Sequence, residues 1–309
     1  MPNLYATPNE YKTRLPDGIR ATTTDYDEVI YRLLNMVSRA IDRWCGREFF
    51  PRAATRYYNG SGLPVLDIDD LISVTSISMS EDDGSTYTAL ESTDYILVRG
   101  GHLDPEHPFS HINAQWNYNH PGSYRAILMD ENGNYSEWST GQKSVKLIGV
   151  FGYADDRDAA WEDSQDTVED DPFGTSGTTM TVNDADGVDS WGFTPRFQVG
   201  QLARVGSEYF EVTSTDTSTN VLTVLPARNG STAASHAQNA QIDLWRPPDP
   251  VKQACIIQAV RQTERGFQGF ADARATPEIG QLFFMESLDP EVKALLDPYK
   301  ATTEIHGFA

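Results

Sequence analysis

Cysteine is almost missing from this chain: of 309 residues only Cys45 and Cys255 carry a thiol. That scarcity excludes a disulfide framework and a thiolate zinc site, and it suits a protein made in a reducing cytoplasm. Long apolar runs are missing too. No stretch approaches the run of about 18 apolar residues that a membrane span needs. The opening "MPNLYATPNEYK" has neither the basic start nor the apolar stretch of a secretory signal. A soluble chain is therefore expected. Positive charge is also scarce, with 24 Lys and Arg against 45 Asp and Glu and a formal net charge of −21. Such a balance argues against general affinity for nucleic acid, which requires cations that displace phosphate counterions. Catalytic signatures are missing as well: there is no Gly-x-Ser-x-Gly, no HExxH and no phosphate loop. Acidic residues abound, but a glycosidase needs two carboxylates at a defined separation in a cleft, and nothing singles out a pair. An enzyme is not expected.

What is present begins with helix signals. Thr7 can cap, Pro8 fits a first helical position, and Glu10 completes a capping box before Leu15–Gly18 turns the chain. A longer helix is predicted from near Asp25, with Glu28 in the reciprocal capping position. Its apolar stripe is Ile30, Leu33, Leu34, Val37, Ile41 and Trp44, and Gly46 terminates it. Strands are predicted in "LISVTSISM", "YTALESTDYILV" and "KSVKLIGVFGY", as a small irregular β-region rather than a large sheet. The acid-rich residues 154–173 read as a linker, because like charges at that density repel. Five short strands follow between 178 and 244, with Gly206-Ser207 as a tight hairpin turn, which suggests a small barrel or sandwich. Helix returns at Asp249-Pro250 and again in "DPEVKALLDPYK". The predicted class is α+β. A helical core from the N- and C-terminal helices encloses an irregular β-region and carries an inserted small all-β domain. The expected boundaries are 1–153, a linker at 154–173, the insertion at 174–246, and 247–309.

Candidate sites are few. His102, His107, His111 and His120 crowd one segment, but their spacing matches no zinc motif and no cysteine assists. "NDADGVDSWG" places Asp184, Asp186 and Gly187 like part of a calcium loop, yet Val182 occupies the first ligand position, so an ordinary acidic turn is expected. No metal or other cofactor is predicted. On the long helix Arg32, Arg39 and Arg43 fall within about 40° of one another, opposite the apolar stripe, and Arg47 drifts to the margin. A solvated face is one reading and an assembly surface the other. In the helix after Asp249, Val251, Ala254 and Cys255 mark one apolar side, while Ile256 and Val260 mark another. A helix apolar on two sides must be covered on two sides, and a second copy of the chain would serve. Arg32, Arg39, Arg43, Arg47, Ile256 and Val260 are thus the candidate interface to another subunit or another protein chain. Leu33, Leu34, Val37, Ile41, Trp44, Val251 and Cys255 are the candidate packing residues.

Several segments carry a resemblance. "YATPNEYKTRL", "VIYRLLNMVSRAIDRWCGREFFP", "LISVTSI", "PVKQACIIQAVRQTERGF" and "LDPEVKALLDPYK" together resemble the head–tail connector (adaptor) proteins of long-tailed bacteriophages. The likeness covers roughly residues 4–153 and 247–309, and 174–246 departs from it as an inserted β-module. It implies a structural virion protein of the neck, assembled in the host cytoplasm as a ring, twelvefold like the portal above it. Such a ring extends the DNA channel and offers a surface to a tail-side neck, stopper or tail-terminator protein. Double-stranded DNA would pass through without specific binding, and no membrane is involved. The alternative is a tail or baseplate component whose β-module binds glycans.

Overall fold

Local chemistry at the N-terminus follows the residues. The computed structural model describes residues 3–15, 26–99, 123–156, 160–267, 273–276, 281–284 and 288–301. Helix α1 (Pro8–Arg14) carries the predicted capping box: Thr7 Oγ1 accepts from Glu10 N at 3.1 Å, and Thr7 N donates to Glu10 Oε2 at 2.8 Å. Helix α2 (Asp27–Cys45) starts later than expected, with Tyr26 at its cap and no side-chain cap bond. Glu28 pairs with Arg32 instead, and Asp25 lies outside the described residues. The helix ends as predicted at Gly46, whose φ of +68° is the left-handed conformation that glycine enters freely. Helix α3 (Asp249–Phe267) has Asp249 as its first residue rather than its cap, while Asp289 caps helix α4 (Pro290–Leu296) by accepting from Glu291 N at 2.9 Å.

The rest of the described chain is β. The first sheet has six strands: β1 (Arg52–Gly60), β2 (Val65–Met79), β3 (Thr88–Ala89), β4 (Tyr95–Arg99), β5 (Tyr124–Met129) and β6 (Gly141–Phe151). Its order is β1-β6-β2-β5-β4, with β3 on β2, and the pairing is antiparallel. Strand β2 has 15 residues and exchanges partners at Leu71, pairing β5 before it and β6 from it onward. Register shifts around Leu71 and between Val74 and Ser76 bend the strand through that exchange. Buried Leu71, Ile77, Ile127, Trp138, Val145, Leu147 and Phe151 form the centre of its core.

The second sheet comprises β7 (Trp161–Thr167), β8 (Thr179–Thr181), β9 (Leu202–Val205), β10 (Glu208–Asp216), β11 (Val221–Leu225) and β12 (Gln241–Trp245), in the order β7-β12-β9-β10-β11-β8. The first and last members do not stay open edges. Val168 bridges Val182, and Glu169 N donates to Thr181 O at 2.9 Å, so the sheet curls shut into a barrel. Phe173, Phe197, Phe210, Val212, Leu222, Ile242 and Leu244 are among the residues filling it. The predicted hairpin stands: Val205 pairs with Glu208 across Gly206, at φ +60°, and Ser207.

This architecture corrects the expected α+β class. Among the described residues the chain is mostly β, with two six-stranded antiparallel sheets, and no helical core from the two termini organises it. The expected irregular β-region is a full sheet. The terminal helices do meet: Tyr11 OH and Thr263 Oγ1 lie 2.6 Å apart, and Lys252 Nζ lies 2.9 Å from Glu10. They flank the barrel. Two compact units result. One contains residues 1–46, 162–228 and 233–301; the other contains 47–161 and 229–232. These limits differ from the expected 1–153, 154–173, 174–246 and 247–309, because helices and barrel share one unit. Thr7 Oγ1 donates to Gln198 Oε1 at 2.5 Å, and Tyr31 on α2 bonds Glu211 on β10, which pairs with Arg228. Gly200 abuts Leu4 so closely that a Cβ there would sit 2.5 Å from Leu4 Cδ1.

Candidate functional site

The four arginines expected to share an edge do different things. Arg32 pairs with Glu28 one turn earlier in a fully solvated contact, a kind that contributes little. Arg39 turns inward: its Nη2 donates to Asn3 O at 3.0 Å, its Nε lies 2.8 Å from Asp42 Oδ2, and its guanidinium covers the Tyr5 ring. Arg43 is exposed. Arg47 leaves the helix altogether. Its Nε lies 3.4 Å from Asp70 Oδ2 and its guanidinium carbon 4.4 Å over the Tyr153 ring, with Arg125 3.7 Å from the other Asp70 oxygen. Burial pushes the Asp70 carboxyl up from its ordinary value, and the two arginines work against that push. Arg39 and Arg47 are therefore held within the fold, and no continuous free edge joins the four.

The packing residues are mostly where periodicity put them. Leu34, Val37, Ile41, Val251, Ala254 and Cys255 are fully buried, and Cys255 Sγ lies 3.7 Å from Ser38 Oγ between α2 and α3. Leu33 is half-buried, as is Trp44, whose ring faces the ammonium groups of Lys293 and Lys300. Among the described residues the other side of α3 borders a groove. Ile256, Ile257 and Val260 line a groove of about 510 Å³ together with Arg14, Glu264 and the Arg261–Asp289 ion pair. Ile256 is itself buried, while Ile257 and Val260 are half-buried.

A second surface was not foreseen. Val188, Trp191 and Phe193 are 47%, 57% and 51% exposed on one loop of the barrel. Two buried carboxylates hold that loop. Asp189 Oδ1 accepts from Trp191 N at 3.0 Å and Phe193 N at 2.8 Å, and Glu162 Oε1 accepts from Trp191 N at 3.0 Å and Ser190 Oγ at 3.2 Å. Arg246 ties the pair together, reaching Asp189 Oδ2 at 2.5 Å and the remaining oxygen of Glu162. The guanidinium carbon lies 5.4 Å from the Trp191 ring centroid and 4.6 Å from that of Phe193. The available signal was an aromatic pair separated by one glycine in a stretch with no strand pattern.

The acidic turn at 183–187 is braced rather than vacant: Arg196 lies 3.5 Å from both Asp166 and Asp184. Among the described residues no cluster of His, Cys, Asp and Glu could hold a metal ion. His102, His107, His111 and His120 lie outside the described residues. No protein-family model matches the chain, and no curated protein matches it.

Proposed function

We propose that this chain is a structural subunit of a phage neck, a head–tail connector that assembles as a ring beneath the portal, continues the DNA channel and presents a surface to the tail or stopper. The reading rests on the resemblance of the terminal segments, above all the run from Ser38 to Phe50. One structural observation supports it: α3 is fully buried at Val251, Ala254 and Cys255, while half-buried Ile257 and Val260 line a groove on another side. An apolar groove bordered by charges of both signs suits another protein chain better than a small substrate. Net charge of −21 keeps passing duplex from adhering. The test mixes the purified protein with emptied phage heads that retain their portal. Sedimentation with the heads is expected, and Val260→Asp should abolish it while helix content by circular dichroism stays unchanged. Absence of head binding by the wild-type chain would overturn the reading.

A further inference from the structure

We propose that the Val188–Phe193 loop of one copy docks on the cationic tyrosine face of a second copy, the face formed by Tyr57, Tyr87, Lys143 and Lys146. The inference goes beyond the connector reading and needs none of its parts. The loop is cross-braced from within the chain before it binds anything. Glu162 and Asp189 engage all four carboxylate oxygens with backbone N–H groups, Ser190 and Arg246, so Trp191 and Phe193 are held outward by partners buried beneath them. Large aromatics preorganised in this way behave as anchors, because little conformational freedom is lost on docking. The same accounting weighs against a sugar ligand. Sugar hydroxyls need convergent polar groups beside the rings, and those nearest here are already engaged. Around the aromatics the exposed charges are acidic: Asp163, whose carbonyl accepts from Ser190 N, and Asp184 and Asp186, on the turn leading into the loop.

A partner must therefore offer apolar rings and cations, and the chain carries such a face. Tyr57 on β1, 49% exposed, stands directly opposite Lys146 on β6 in the sheet register. Lys146 Nζ lies 5.5 Å from the Tyr87 ring centroid, Lys143 Nζ lies 6.0 Å from that of Tyr57, and the two tyrosine rings are 6.1 Å apart. Neither lysine makes an ion pair among the described residues. In a chain with 45 acids and 24 cations, two ammonium groups outside any ion pair among the described residues, over exposed Tyr57 and half-buried Tyr87, are a scarce complement to an acid-rimmed aromatic knob. Knob and face are different surfaces, so the contact is heterologous and propagates from copy to copy as a ring or a filament.

Sedimentation velocity of the full chain over a concentration series, at low and at high salt, tests this. The wild type is expected to self-associate, less so at high salt because the rim charges are screened. Trp191→Ala with Phe193→Ala, and separately Lys146→Glu, should each weaken association by about tenfold or more. Asp186→Lys added to Lys146→Glu should recover part of the loss, since each altered loop then meets an altered face. A wild type that stays monomeric throughout, variants that associate like the wild type, or a monomer that binds a glycan array through Trp191 would each overturn the proposal. No phage component enters this assay. Intact self-association without head binding would sink the connector reading alone.

Discussion

Replacing Arg47 by alanine removes one of two cations facing a buried carboxylate. Arg47 Nε is 3.4 Å from Asp70 and Arg125 Nη1 is 3.7 Å away, with the Arg47 and Asp70 side chains 9% and 8% exposed. At an effective dielectric of about 20, each contact is worth about 4–5 kcal/mol of gross attraction, most of it offset by desolvation. Losing one partner of a buried pair costs about 3–5 kcal/mol. Arg125 remains, so about 2 kcal/mol is expected from charge. A further contribution of about 1 kcal/mol comes from the lost contact with the Tyr153 ring. The total is about 3 kcal/mol near neutral pH.

The pH dependence separates charge from packing. The folded pKa of Asp70 is raised, so between the ordinary carboxylate value and the folded value the folded state holds the proton more tightly than the unfolded state does. Stability from this group is then greatest at acid pH and falls as pH rises through that window. Removing Arg47 raises the folded value further. The deficit of Arg47→Ala should accordingly shrink as pH is lowered from about 8 to about 4.5. Adding Asp70→Asn should reduce the deficit to about 1 kcal/mol, flat with pH, because only the ring contact is then missing. Thermal unfolding of the four chains across that range provides the measurement, with the transitions of the two units analysed separately. A deficit independent of pH and unchanged by Asp70→Asn would refute the electrostatic account.

Two glycines should respond differently to alanine. At Gly46 the cost is that of the left-handed backbone, about 1 kcal/mol, since a Cβ would meet nothing nearer than Ala301 at 3.5 Å. At Gly152, with φ +133° and a Cβ 2.3 Å from Phe50 O, backbone strain and collision add to about 3 kcal/mol or more, and unfolding midpoints in the reverse order would contradict this. Both thiols should resist an aromatic disulfide reagent at mildly alkaline pH in the native protein and react together in denaturant. Cys45 and Cys255 are buried, and burial pushes the Cys255 thiol up to about 12. Rapid native labelling of Cys255 would mean that α2 and α3 separate.

The helices were legible because their signals are local. Thr7, Pro8 and Glu10 fix the start of α1, Gly46 the end of α2, and Asp289-Pro290 the start of α4, without help from elsewhere in the chain. Parts of the sheets were legible where one face is apolar and the other wet, as in β11. Strand β1, "RAATRYYNG", was not, because half-buried and exposed residues alternate along it with no apolar face. The role of Arg47 was hidden for a related reason. Helical spacing placed it beside Arg43, but the left-handed turn at Gly46 redirects the chain, and its partners lie 23 and 106 positions away at Asp70 and Tyr153. The aromatic loop left only a weak mark, since exposure of Trp191 depends on what Glu162, Asp189 and Arg246 do together.

Strand β7 shows why the supposed linker misled. In "WEDSQDT" the inward residues are Glu162, Ser164 and Asp166, all buried, while Asp163 and Gln165 face out. A reader counting charges sees repulsion, yet each inward group has a partner supplied from afar. Glu162 meets Arg246. Ser164 Oγ donates to Ile242 O at 2.6 Å. Asp166 accepts from the N–H groups of Thr167, Asn183 and Asp184 at 2.7–3.0 Å and faces Arg196. Buried pairs of this kind add little net stability against apolar replacements, but one slip in register would leave every one of them unpaired. The acids thereby fix the edge strand that closes the barrel through Val168 and Val182, and they fix the two ends of the loop carrying Trp191 and Phe193. Charge density that suggested a mobile tether is instead what holds the barrel's exposed aromatics in place, so the surface with most to offer a partner depends on the segment that seemed to offer least.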